Sequence, residues 1–181
     1  MFLRLDLRSR LPGMNEAVPV YSVIVVILYT WTLLAFFRQL GAWSKFLFVG
    51  EWLKVSSYLF AINFVESIVF FAAILLIGII LPRRWFLEKF TYRGSLLSIL
   101  ALGYMMYFPN QLIKLEEYPE YAVRTLPYAL PGIFLSVYLL DYVPYFRRAV
   151  EFIADRTIIF LYLYVPLSMI SLLSILARNI F

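Results

Sequence analysis

Glu66 is the only charged residue between Tyr58 and Leu81, in the run YLFAINFVESIVFFAAILLIGIIL. On a helix, Asn63, Glu66 and Ser67 stand at i, i+3 and i+4, which brings them toward one face. An ionised carboxylate in hydrocarbon is costly and is usually turned into a bundle or a wet cavity. The chemistry this suggests is a proton- or cation-responsive site, with the carboxyl pKa raised by desolvation. The plainer alternative is a structural carboxylate, protonated or bonded to Tyr29, Thr32, Tyr104 or a snorkelling Arg38.

Asp141 is the second isolated carboxylate. It precedes Tyr142 and stands close in sequence to Arg147 and Arg148, so an interfacial ion pair with those arginines is expected. Glu66 is expected in the outer half of the membrane and Asp141 near the inner edge. That separation argues against an acid–base pair of the glycosidase kind, which needs its carboxyl groups within about 5–10 Å. Pro109, Asn110 and Gln111 on one side of an acidic loop, and Pro131 and Gly132 on the other, could break their helices. Pro-interrupted segments of that kind can mark transporter sites. The loop itself carries Glu116, Glu117 and Glu120, the candidate acids or bases of a membrane enzyme.

The chain contains neither histidine nor cysteine. This removes the usual ligands of zinc, haem and iron–sulfur clusters and any Ser-His-Asp or Cys-His pair. Glycine-rich phosphate loops and a G-x-S-x-G elbow are also missing from the sequence. Neither a metal nor a cofactor is expected.

The elements that position these residues follow from composition. Hydrophobic residues make up 64% and charged residues 15% of the 181 residues, against about 45–50% and 25% in soluble domains. A soluble domain of this size could not bury so much apolar surface, so lipid is the expected solvent. The fold class is all-α, a polytopic membrane helical bundle of about five transmembrane helices plus one interfacial amphipathic helix. The expected spans are 19–40, 58–81, 95–113, 126–146 and 158–177. The interfacial helix is expected over 42–56, where apolar residues at three-to-four-residue spacing run beside Lys45, Glu51 and Lys54. With no linker or soluble segment, residues 1–181 form one domain. The basic Met1–Gly13 region followed by a long apolar run resembles a retained signal anchor.

Threading follows from the cations. With five spans and the N-terminus inside, inner segments hold ten lysines and arginines and outer segments six. The excess centres on the anchors Arg83, Arg84, Arg147 and Arg148. This favours a cell membrane (plasma or inner), a cytoplasmic N-terminus and an external C-terminus. The formal charge of +5 is read as topology-setting charge, with the bilayer as partner and no role for nucleic acid. Serines recurring every three residues, Ser168, Ser171 and Ser174 on the fifth span and Ser95 and Ser98 on the third, read as packing faces. The leading function is a non-catalytic accessory or scaffolding subunit that packs against another membrane protein or a second copy. A small transporter or channel component using Glu66, and an enzyme acting on a lipid-linked substrate, are the alternatives.

Overall fold

Two X-Pro steps divide the chain at one end of the molecule, and both act by the same restriction. The helical region is disfavoured for a residue before proline, which biases it toward extended backbone. Leu81, before Pro82, has φ −75° and ψ 149° and closes the second long helix. Val143, before Pro144, is likewise non-helical, and Pro144 opens the last helix, where its missing N–H costs nothing. The computed structural model describes residues 11–43, 45, 48–112 and 120–180.

Among the described residues there are six α-helices: α1 (Met14–Trp43), α2 (Val49–Ile80), the single turn α3 (Arg83–Phe86), α4 (Phe90–Leu112), α5 (Glu120–Asp141) and α6 (Pro144–Ile180), with a 3-10 turn at Leu87–Lys89. No strand occurs among the described residues. Helices α1, α2 and α6 are long and apolar enough to cross a membrane. At 1.5 Å per residue, α4 and α5 are about 33–35 Å long, comparable with a bilayer core of about 30 Å, but they are more polar.

Helix boundaries differ from expectation in three places. Stretch 42–56 is not a separate element: Ala42 and Trp43 end α1, and from Val49 onward the chain runs unbroken into the apolar part of α2. The start is set by Glu51, whose carboxylate accepts the Phe48 N–H at 2.9 Å, satisfying an orphan donor at the positive end of the helix. Lys54, Ser56 and Ser57 simply continue the helix, because polar side chains do not break one. Secondly, α5 ends at Asp141 rather than 146, and α6 begins at Pro144 rather than 158. Its charged first turns are helical and carry an i,i+4 contact between Arg147 and Glu151 at 3.4 Å. Thirdly, the backbone stays helical through Pro109, Asn110 and Gln111 to Leu112, and through Pro127, Pro131 and Gly132. The expected breaks do not occur there. Residues 113–119, with Glu116 and Glu117, lie outside the described residues.

The helices alternate in direction, and α1 packs against α2, α4 and α6. At one end the Thr91 hydroxyl meets the Glu16 carbonyl, and Arg93 meets Asp141. The starts of α1 and α4 and the end of α5 therefore lie together. The core at this end centres on Val20, Ile24, Phe86, Phe90 and Leu96. Helices α1 and α4 approach closely at Gly94, where an added Cβ would lie 3.1 and 3.2 Å from the Val20 methyls. Ser95, Ser98, Ser168 and Ser171 are buried, whereas Ser174 is exposed. The serine faces pack as expected, except at Ser174.

Candidate functional site

Helix α1 supplies the polar contacts inside the bundle. The Tyr21 and Ser67 hydroxyls meet at 3.1 Å, and Thr32 donates to Asn63 Oδ1 at 2.9 Å. Ser22 and Thr157 meet at 2.8 Å, and Tyr29 and Ser168 at 2.5 Å. Ser22, Ser67, Thr157 and Ser168 also bond carbonyls of their own helices, so these pairings tie neighbouring helices together rather than rescue orphaned hydroxyls. Three of the four residues expected to partner Glu66 are thus engaged elsewhere, Tyr29 with Ser168, Thr32 with Asn63, and Tyr104 with Thr125 at 3.0 Å, and the fourth, Arg38, does not pair with it.

Asn63 and Ser67 are buried, but Glu66 is not with them. At about 100° per residue, Glu66 is rotated about 100° from Ser67, and the buried stripe of α2 ends between the two. The carboxylate is exposed and forms no hydrogen bond or ion pair with any described residue. It lies in an open groove of about 480 Å³ between α1, α2 and α4, walled by Leu28, Trp31, Val69, Phe70, Leu102 and Met105 among others. Every other lining side chain is apolar or aromatic. Glu66 stands fourteen residues before the end of α2 at Ile80, about 21 Å along the helix and near its midpoint.

Asp141 belongs to a second cluster, at the end where α2 stops. Its expected partners Arg147 and Arg148 are replaced by Lys89, at 2.8 Å, and Arg93, at 2.6 Å. Arg147 pairs with Glu151 instead. The reason is the break at Val143: α6 starts in a new direction, while the 3-10 turn and the first turn of α4 present Lys89 and Arg93, four residues apart on one helical face, to the end of α5. Arg93 also caps α3. Its Nη1 donates to the carbonyls of Arg84 at 3.2 Å and Trp85 at 2.6 Å, and the Tyr138 hydroxyl donates to the same Trp85 carbonyl at 2.7 Å. A one-turn helix leaves its last carbonyls without partners, and these donors supply them. The Arg93 guanidinium lies 5.3 Å from the Tyr138 ring centroid, and the Trp85 and Tyr138 rings meet edge to face. Arg84, Trp85, Arg93 and Tyr138 line a recess of about 330 Å³.

Arg93 and Tyr138 were not evident as site residues from the sequence. The signal in the sequence is Lys89 and Arg93 at i,i+4, and nothing local points them to Asp141 about fifty residues further along the chain. Asp141 and Glu66 lie in separate places, one in this cluster and one in the groove, so they do not form a carboxylate pair. Among the described residues no group of histidine, cysteine and carboxylate side chains could hold a metal ion. No family model, curated protein or solved structure matches the chain.

Proposed function

We propose that this chain is a multi-pass integral membrane protein that serves as a non-catalytic accessory or scaffolding subunit, its Glu66 groove receiving a transmembrane helix of a partner protein. The observation that carries this reading is the outward position of Glu66. A carboxylate on the lipid side of an apolar groove is unfavourable unless something covers it with a cation or a hydrogen-bond donor. The apolar lining favours a helix over solvent, and the charge favours one carrying a lysine, arginine or hydroxyl at that depth. A symmetric pairing of two copies through this groove would bring like carboxylates together, so a different chain is preferred.

The membrane reading rests on three helices of sufficient length and apolarity. Alternating helix directions support α4 and α5 as additional crossings. The end bearing Arg83, Arg84, Lys89, Arg93, Arg147 and Arg148 is assigned to the cytoplasm by the positive-inside bias. The test is purification from native membranes in mild detergent, with a photo-crosslinking side chain at Val69. A companion chain crosslinked at Val69 and lost in Glu66→Leu is expected. A stable monomer with no crosslinked companion overturns the proposal.

The same unpartnered carboxylate supports a second reading, a transporter or channel component with Glu66 as its ionisable site. Unchanged flux and proton coupling for Glu66→Gln in reconstituted vesicles would exclude it.

A further inference from the structure

We infer that the recess lined by Arg84, Trp85, Arg93 and Tyr138 is a binding site for the phosphate of an anionic phospholipid headgroup.

Three observations converge on it. The first is charge. Between Arg83 and Arg93 and the facing end of α5, four cations (Arg83, Arg84, Lys89, Arg93) stand against two carboxylates, Glu88 and Asp141. Asp141 is already neutralised by Lys89 and Arg93, so its charge does not oppose an incoming anion. Arg84 is exposed, and its guanidinium has no ion pair or hydrogen bond among the described residues. Its full fork of donors is therefore free for the bidentate geometry that phosphate oxygens accept.

The second observation is a buried cation. Arg93 is 8% exposed, and its Nη1 and Nη2 are committed to the α3 carbonyls and to Asp141. Its Nε is buried without a hydrogen-bond partner. The Nε has no accessible surface and gives the recess no donor. With Lys89 and Arg93 both on the one Asp141 carboxylate, what Arg93 adds is net positive charge behind the wall, which favours an anion in front of it. The wall of the recess is thus cationic, and none of its four lining residues is a carboxylate.

The third observation is position. Trp85 is 59% exposed, and nearby Tyr142 and Tyr145 are 86% and 83% exposed. Bulky amphipathic aromatics at a helix end, next to arginines, mark the level where headgroups lie. This favours a lipid phosphate over one free in solution. Arg84 would take the phosphate directly, Arg93 would supply the field behind it, and Trp85 and Tyr138 would border the glycerol and the first acyl carbons.

The full chain, purified in mild detergent, would be delipidated and titrated with phosphatidylglycerol, with phosphatidylcholine and with inorganic phosphate, with retained lipid counted by native mass spectrometry. Expected is one retained phosphatidylglycerol per chain, preferred over phosphatidylcholine. Arg84→Gln should weaken retention about tenfold or more, as loss of hydrogen bonds between charged groups implies. Arg148→Gln removes the same charge at the same end outside the recess and should leave retention unchanged. Both variants should keep the wild-type unfolding midpoint, since both arginines are exposed. Equal weakening by Arg148→Gln would overturn the site in favour of a diffuse surface potential. Absence of headgroup preference would overturn it outright, and displacement of the lipid by millimolar inorganic phosphate would overturn the lipid as its ligand.

Discussion

The Arg93 guanidinium stands 2.6 Å from Oδ2 of Asp141, joining the start of α4 to the end of α5, with both side chains only 10% exposed. Removing one member of such a pair strands the other charge. Asp141→Ala is expected to destabilise the protein by about 3–5 kcal/mol. Lys89, at 38% exposed, is better solvated, so Lys89→Met should cost about 1 kcal/mol or less. The double variant Asp141→Ala/Arg93→Met should recover part of the first loss. Thermal unfolding in one detergent checks all three, and an unaffected Asp141→Ala would show that the pair does not hold α4 to α5.

Gly94 sets the distance between α1 and α4. Gly94→Leu should destabilise by about 1–3 kcal/mol through overpacking, because even its Cβ would lie 3.1 Å from a Val20 methyl. Val20→Ala in the same chain should relieve part of that cost. If the two effects add without coupling, the close approach is not what the residue provides.

The Thr32–Asn63 hydrogen bond of 2.9 Å ties α1 to α2. A double-mutant cycle using Thr32→Val and Asn63→Ala should give a coupling energy of about 0.6 kcal/mol, and no more than about 1.7, as for interhelical hydrogen bonds in bilayers. Zero coupling would make the contact incidental.

Glu66 makes no hydrogen bond or ion pair with the described residues, so Glu66→Leu should leave the unfolding midpoint of the isolated chain unchanged or raise it. The same variant should weaken assembly with the partner. A marked fall in the midpoint of the isolated chain would mean that Glu66 serves the bundle itself.

The proposed set of five crossings would put the two termini on opposite sides. Reporter fusions should place the N-terminus in the cytoplasm and the C-terminus outside. A cytoplasmic C-terminus would remove either α4 or α5 from the count.

The sequence by itself determined the helical class and, among the helix ends, those near Trp43, Ile80, Leu112 and Ile180 to within about three residues. Long apolar runs in a chain that is 64% hydrophobic admit few structures besides helices in lipid, and the stop at Pro82 follows the steric bias before proline. Helices that run on through Pro127, Pro131 and Pro166 show that this bias alone does not decide a break, and the one at Pro144 was not expected. The sequence also marked Ser95, Ser98, Ser168, Ser171 and Ser174 as packing residues, because small and polar side chains let helices approach closely, and all but Ser174 are buried. Tertiary structure alone decided which way Glu66 faces and which cations Asp141 meets. A spacing of three residues places a side chain within a sector of about 60°, and the edge of the buried stripe, set by where α1 lies against α2, fell inside that sector. Nearness in sequence pointed Asp141 to Arg147 and Arg148, but the turn after Ile80 folds Lys89 and Arg93 back onto the end of α5. The carboxylate that sequence placed inside the bundle stands outside it, and the one placed at a simple interfacial pair anchors two helices.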